Sequence, residues 1–213
     1  MHEVLSLDVA DDGVRFDPSS LEVGPIREEQ EYGGIRAVLV ARVTAAKVRL
    51  QIDVGFGDVV TPEALEVQYP TLLEFPAPQL RAYPRETVVA EKLEALVQLG
   101  LANSRMKDFY DLVILSRLFD FDGALLVRAI RATFERRKTT LPTELPAGLT
   151  TAFAMDPTKV GQWLAFLRKS GAGDGEDLAA TVKEIIRFVQ PLLLAAASGD
   201  PFARRWRRAG PWA

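Results

Sequence analysis

Arg105, Lys107, Asp108 and Asp111 crowd the opening turns of the stretch NSRMKDFYDLVILSRLF, residues 103–119. From Leu112 to Phe119 the same stretch is apolar nearly all round, as in a helix buried among others. Asn103 or Ser104 can cap its start, because a short polar side chain accepts from the free amides of a first turn. The two cations oppose the helix macrodipole, which favours anions there by about 0.3–1 kcal/mol. Two chemistries fit this spacing. Lys107 with Asp111 (i, i+4) and Arg105 with Asp108 (i, i+3) can form surface ion pairs, each contributing about 0.2–0.5 kcal/mol. Alternatively, helix amides together with Arg105 and Lys107 make an anion pocket of the kind that takes phosphates, the aspartates holding the cations in place. The pattern leaves both open.

Lys92 breaks its surroundings more sharply. In ETVVAEKLEALVQLG the apolar stripe runs through Val88, Val89, Leu93, Leu96 and Leu99, and Lys92 falls inside it. Glu91, Glu94 and Gln98 are expected on the opposite, wet face, where a lysine could equally have stood. A lysine on a core-facing stripe either snorkels to its edge or pairs with a carboxylate or an anionic ligand. The sequence therefore predicts Lys92 partly buried, its amine near Asp108 or Asp53 in a cleft between a sheet and two helices. Asp53 is the third candidate, on the polar face of the alternating strand KVRLQIDVGF. It reads either as a solvated carboxylate on an open sheet face or as one projected from a rigid strand toward a metal or hydroxyl. Gly55 and Gly57 would let a ligand approach, and Asp58 is a weaker candidate because aspartate after glycine is common turn chemistry.

Composition narrows the chemistry. The chain has 213 residues, no cysteine, and one histidine, His2, at a terminus prone to fraying. Thiolate chemistry, disulfides, histidine-based triads and His-rich zinc sites are thereby excluded or disfavoured. What remains are carboxylates, lysines, arginines and a hard cation, an inventory suited to phosphoryl or nucleotidyl transfer. A net charge of −3 gives no global nucleic-acid signal. No run of about 18 apolar residues and no signal peptide is visible, so a cytoplasmic protein with no membrane span is expected.

The elements that must position these residues change character along the chain. Turn signals at Asp11-Asp12-Gly13 and Asp17-Pro18 bracket short extended pieces. GGIRAVLVARVT and KVRLQIDVGF are predicted to form an antiparallel hairpin, with Val48, Leu50, Ile52 and Val54 facing a core. A proline-punctuated connector fills 69–86. Helices are then predicted from about Pro84 to Leu99 and from about Ser104 to Phe119, hinged at Gly100, and a wholly helical remainder follows, its last helix carrying Pro191. Strands first and helices later predict an α+β fold rather than an alternating parallel sheet. The expected organisation is a β-rich part at 1–83, two helices completing a nucleotide site at 84–122, and a helical C-terminal domain at 123–213. In FARRWRRAGPWA, Arg204, Arg205, Arg207 and Arg208 surround Trp206. A basic helix end whose tryptophan docks on the helical domain is favoured there over a surface for phosphates and stacked bases.

Four separated motifs, IDVGFGD, YPTLL, LRAYPRETVVAEKLEALVQLG and NSRMKDFYDL, resemble in order those of the AbiEii/AbiGii toxin family. These are bacterial nucleotidyltransferase-fold toxins of type IV toxin–antitoxin or phage-defence systems. The resemblance spans about Asp11 to Phe121. It implies an antiparallel or mixed sheet, remnant of the nucleotidyltransferase fold, followed by a helical region. It also implies catalytic roles for Asp53, Lys92 and Asp108, with Asp53 as a ligand of Mg2+. Nucleotide-binding roles fall to Lys92, Arg105, Lys107 and Asp111. A nucleoside triphosphate, an RNA acceptor such as tRNA, and a cognate antitoxin are the implied partners.

One departure stands against the match. The family's first motif, a glycine-serine turn followed by paired strand carboxylates, has no counterpart here, since LSLDVADDG offers Asp8, Asp11 and Asp12 without the turn. The sequence therefore predicts a chain that binds nucleotide weakly, does not transfer it, and exposes Arg36–Thr44 or Lys47–Phe56 as an aggregation-prone edge. Two alternatives to the transferase reading are a non-catalytic nucleotide- or partner-binding protein and a helical interaction module whose charges are only salt bridges.

Overall fold

The computed structural model describes residues 1–9, 11–26, 33–57, 59–172 and 176–213. The chain forms two units, residues 1–58 and 59–213.

In the first unit a short helix, α1 (His2–Leu5), precedes three strands: β1 (Val14–Pro25), β2 (Gly34–Val43) and β3 (Ala46–Gly55). They form an antiparallel sheet of order β1-β2-β3, so β2 is the inner strand and β3 an edge. The β2–β3 hairpin forms as its alternation predicts, with Val43 opposite Ala46 and Gly34 opposite Gly55. Its two-residue loop is Thr44-Ala45, and Thr44 takes the positive φ, 52°, that a type II′ turn requires at its first position. Period-2 alternation places the even residues of β3 and the odd residues of β2 on one apolar face. Ala37, Leu39 and Ala41 are buried at its centre. The core expected over β3 does not form: Leu50 is half-buried, and Val48, Ile52 and Val54 are 42%, 41% and 41% exposed. Alternation fixes which side chains share a face, but burial on that face falls from the inner strand β2 to the edge strand β3.

The second unit opens with the small pair β4 (Leu65–Gln68) and β5 (Gln79–Ala82), antiparallel across the proline-rich connector. Helices follow: α2 (Arg85–Leu99), α3 (Met106–Leu118), α4 (Gly123–Arg136), α5 (Thr151–Met155), α6 (Pro157–Ser170) and α7 (Leu178–Ser198). Local chemistry explains their starts. Asp122, Asp156 and Asp177 each accept from a backbone amide three residues on, at 3.0, 3.0 and 2.7 Å. Helix α7 runs through Pro191. One core, including Leu93, Leu96, Phe109, Leu112, Ile130, Phe153 and Phe188, joins all six helices. Helices α4 and α2 pack together, and α7 packs on α3 and α4. The α+β class read from the sequence holds.

The C-terminal segment closes this unit. Strand β7 (Arg205–Trp206) pairs with β6 (Phe121–Asp122), Phe121 lying opposite Trp206. Trp206 is 1% exposed, and its indole Nε1 donates to the Ser116 carbonyl at 2.7 Å. Trp212 donates likewise to the Phe188 carbonyl at 2.9 Å. The tryptophan of FARRWRRAGPWA is thus a docked core residue, and the arginines around it are exposed.

Candidate functional site

Helices α2 and α3 meet through a tight turn, a short 3-10 segment at Gly100–Ala102 in which Gly100 adopts φ 49°. Buried Leu93 and Leu96 of α2 and Met106, Phe109 and Leu112 of α3 belong to the common core, and Phe109 stacks on Phe153 with ring centroids 5.2 Å apart. This packing fixes the two helices so that Lys92 faces the first turns of α3.

The start of α3 is held differently from the predicted capping. The helix begins at Met106, with Arg105 in the cap position and no side chain capping it. Asn103 instead accepts from the Arg105 amide at 2.8 Å, while the amides of Met106 and Asp108 are taken by the carbonyls of Ser104 and Arg105. Those three amides are engaged within the turn, so an anion here would be held chiefly by side chains.

The charges form an alternating string. Arg105 Nε lies 2.8 Å from Asp108 Oδ2, and Asp108 Oδ1 accepts from Lys92 Nζ at 2.9 Å. Lys92 Nζ in turn lies 2.6 Å from Asp111 Oδ2, which also accepts from Lys107 Nζ at 2.6 Å. The centre is sheltered and the ends are wet: the side chain of Asp108 is 6% exposed and Lys92 17%, whereas Arg105 is 58% and Lys107 70%. Among the described residues no hydrogen bond reaches Asp108 Oδ2, and the nearby charges of Arg105 and Lys92 offset the burial of the carboxylate. Burial works against the Lys92 charge, but hydrogen bonds to Asp108 and Asp111 outweigh it and hold the ammonium above its ordinary pKa. Burial likewise works against the Asp111 carboxylate, and Lys107 and Lys92 hold its pKa below the usual value of 3.8. Three cations against two carboxylates leave one net positive charge beside the start of α3.

A cavity of about 530 Å³ adjoins the string, lined by Ser104, Arg105, Lys107 and Asp108 from one side and by Gln162, Phe166 and Lys169 of α6 from the other. Sequence reasoning missed those α6 residues. Lys169 reads as an ordinary cation in a last helical turn, and nothing in the local pattern marks Gln162, whose Oε1 is buried with no hydrogen bond among the described residues. Lys159 of α6 ties the two sides together by donating to the Asn103 carbonyl at 2.8 Å.

One expectation is corrected. Glu94, expected on a wet face, is 1% exposed and accepts from Arg137 at 2.7 Å and Thr139 at 2.5 Å. Helix α4 covers that side of α2, and paired partners make the buried carboxylate tolerable. Of the two partners anticipated for Lys92, Asp108 is the one observed. Asp53 belongs to the first unit, where Arg36 on the neighbouring strand grips both its oxygens at 2.8 and 2.9 Å and Gln51 adds a contact at 3.2 Å. That grip holds the Asp53 pKa below its ordinary value.

The donor set does not suit a divalent cation. Among the described residues no group of three or more Asp, Glu, His or Cys side chains is placed to hold a metal. Both Asp53 oxygens are engaged by a guanidinium, and Asp11 and Asp12 accept from the amides of Gly13 and Val14 as turn residues. Mg2+ is held by one or two carboxylates with water and substrate phosphates completing its six oxygens, and with both its oxygens gripped by Arg36, Asp53 has no oxygen unengaged for one. Asp58 lies outside the described residues. Among the described residues no helix is long and apolar enough to cross a membrane.

A family profile described as nucleotidyl transferase AbiEii toxin, type IV toxin–antitoxin system, matches residues 1–186 of the chain. Neither the curated proteins nor the solved structures contain a match.

Proposed function

The chain belongs to the AbiEii family of nucleotidyl transferase toxins, and from that premise we propose that the Arg105–Asp108–Lys92–Asp111–Lys107 string binds the polyphosphate of a nucleoside triphosphate whose nucleotide passes to RNA, with tRNA as the acceptor. In such a transfer an acceptor hydroxyl oxygen bonds to the α-phosphorus and releases its proton to water, the α–β phosphoanhydride breaks, and pyrophosphate leaves. The protein's task is positioning and charge neutralisation. The observation that carries the reading is the placement of Lys92. An ammonium has three donors; Asp108 and Asp111 take two and aim the group. Exposed Arg105 and Lys107 supply mobile charge at either end, next to a cavity large enough for a nucleotide moiety. Asp108 and Asp111 are positioning residues in this scheme. A cognate antitoxin, as in type IV systems, and a role in phage defence complete the proposal.

The grip of Arg36 on Asp53 favours a second reading, nucleotide binding without turnover, because the described residues gather no metal ligand set. One pair of measurements separates the readings. Lys107→Ala and Lys92→Ala are expected to weaken triphosphate binding, the latter by about 2–5 kcal/mol, as read by calorimetry on variants with native circular dichroism. Labelled triphosphate is then offered with bulk tRNA and magnesium. Incorporation into tRNA supports transfer, binding without incorporation supports the second reading, and unchanged affinity in both variants removes the phosphate role.

A further inference from the structure

The two edges of the three-stranded sheet are unlike. Along β1 the pairing with β2 shifts between Asp17 and Glu22, and Pro18 and Pro25 interrupt its amides. Bulges and prolines are the usual ways of blunting an edge. Strand β3 has neither. Its ten residues pair with β2 in one unbroken register, they contain no proline, and their other edge pairs with no strand among the described residues. Every residue of β3 except half-buried Leu50 is exposed.

We propose that this edge is a homodimer interface, with β3 of one copy pairing antiparallel to β3 of a second about a two-fold axis through Gln51. The sequence AKVRLQIDVG is complementary to itself in that register. Gln51 meets Gln51 of the second copy, and Arg49 falls opposite Asp53, twice by symmetry. On the other face Val48 falls opposite Val54 and Leu50 opposite Ile52, again twice each. Opposite charges and β-branched pairs placed directly across strands are the contacts that stabilise antiparallel pairing. Asp53 would then stand between Arg36 of its own chain and Arg49 of the second, its carboxylate able to accept from both. A register centred one residue earlier, on Leu50, sets Lys47 against Asp53 but leaves Arg49 facing neutral Gln51. Charge therefore favours the Gln51 axis. The interface is isologous, as a two-fold contact must be. It would merge two three-stranded sheets into one.

The test uses the full chain, which contains no cysteine of its own. In Gln51→Cys the two thiols face each other across the axis, where paired strands set Cα atoms about 4.5–5.5 Å apart, within disulfide range. Mild oxidation is expected to convert this variant to a covalent dimer, whereas Leu50→Cys and Arg49→Cys, whose thiols are displaced along the strand, stay largely monomeric on denaturing gels. Light scattering of the unmodified chain is expected to give twice 23.5 kDa. Arg49→Glu faces Val40 within its own sheet, so Arg36–Asp53 stays intact; across the axis it opposes Asp53 and is expected to loosen the dimer about tenfold. A mass of one chain at all concentrations, cross-linking at Leu50→Cys instead of Gln51→Cys, or an Arg49→Glu dimer as tight as the original would each overturn the proposal. So would a β3 edge found covered by a different protein strand.

Discussion

Asp53 and Asp108 are both carboxylates bound by a basic side chain at 2.8–2.9 Å, yet they live in different physical regimes. Asp53 is 41% exposed on an open sheet face, so water and salt already solvate it and its partner. Asp108 is 6% exposed among packed helices and is held by Lys92 and Arg105. The same contrast holds for the apolar residues. Phe109 is fully buried in a core shared by six helices, while Ile52, on a strand with better alternation, is 41% exposed. An amphipathic pattern is a requirement for a core and does not by itself make one; the difference lies in whether another layer covers the face.

The largest expected effect tests the apolar half of this comparison. Phe109→Ala removes a ring stacked on Phe153 inside the helical core and is expected to cost about 3–5 kcal/mol. Ile52→Ala, read in the same urea titration, is expected to move the midpoint much less. Equal shifts would mean the sheet face is covered after all. The charged half comes next. Asp108→Ala leaves Lys92 with one carboxylate in a sheltered site and is expected to cost about 3 kcal/mol, whereas Asp53→Ala removes only exposed ion pairs and is expected to cost under about 1 kcal/mol.

Smaller effects sharpen the picture of the helical unit. A Cβ at Gly123 would meet the Phe202 ring at 2.4 Å and the Arg204 carbonyl at 2.5 Å, so Gly123→Ala is expected to push the C-terminal segment away at about 1–3 kcal/mol. Quenching of Trp206 fluorescence by iodide should rise in that variant. The mildest expectation concerns pH. Because the Asp111 pKa is lowered on folding, its contribution is present above the ordinary 3.8 and is lost as pH falls through the lower folded value. Lys92 is raised, so its contribution is complete below the ordinary 10.5 and disappears as pH climbs through the higher folded value. Urea midpoints are therefore expected to show a plateau across the neutral range, with an acid limb that flattens in Asp111→Asn.

The sequence by itself determined what local chemistry and spacing control. Alternation at residues 47–56 predicted the hairpin, and strands preceding helices predicted the α+β class. Lys92 announced a partner because a lysine on an apolar stripe must find one, and the order of four motifs identified the family. Tertiary structure decided the rest. It put Asp108 and Asp111 at the Lys92 amine and brought Gln162, Phe166 and Lys169 to the cavity from more than fifty residues away. It buried Glu94, which its helix alone would leave wet, by laying α4 over it. It docked Trp206 into a core and left β3 an open edge. Periodicity reports the faces of one element; burial, partners and perturbed pKa values belong to pairs of elements, and the chain's local pattern does not say which elements meet.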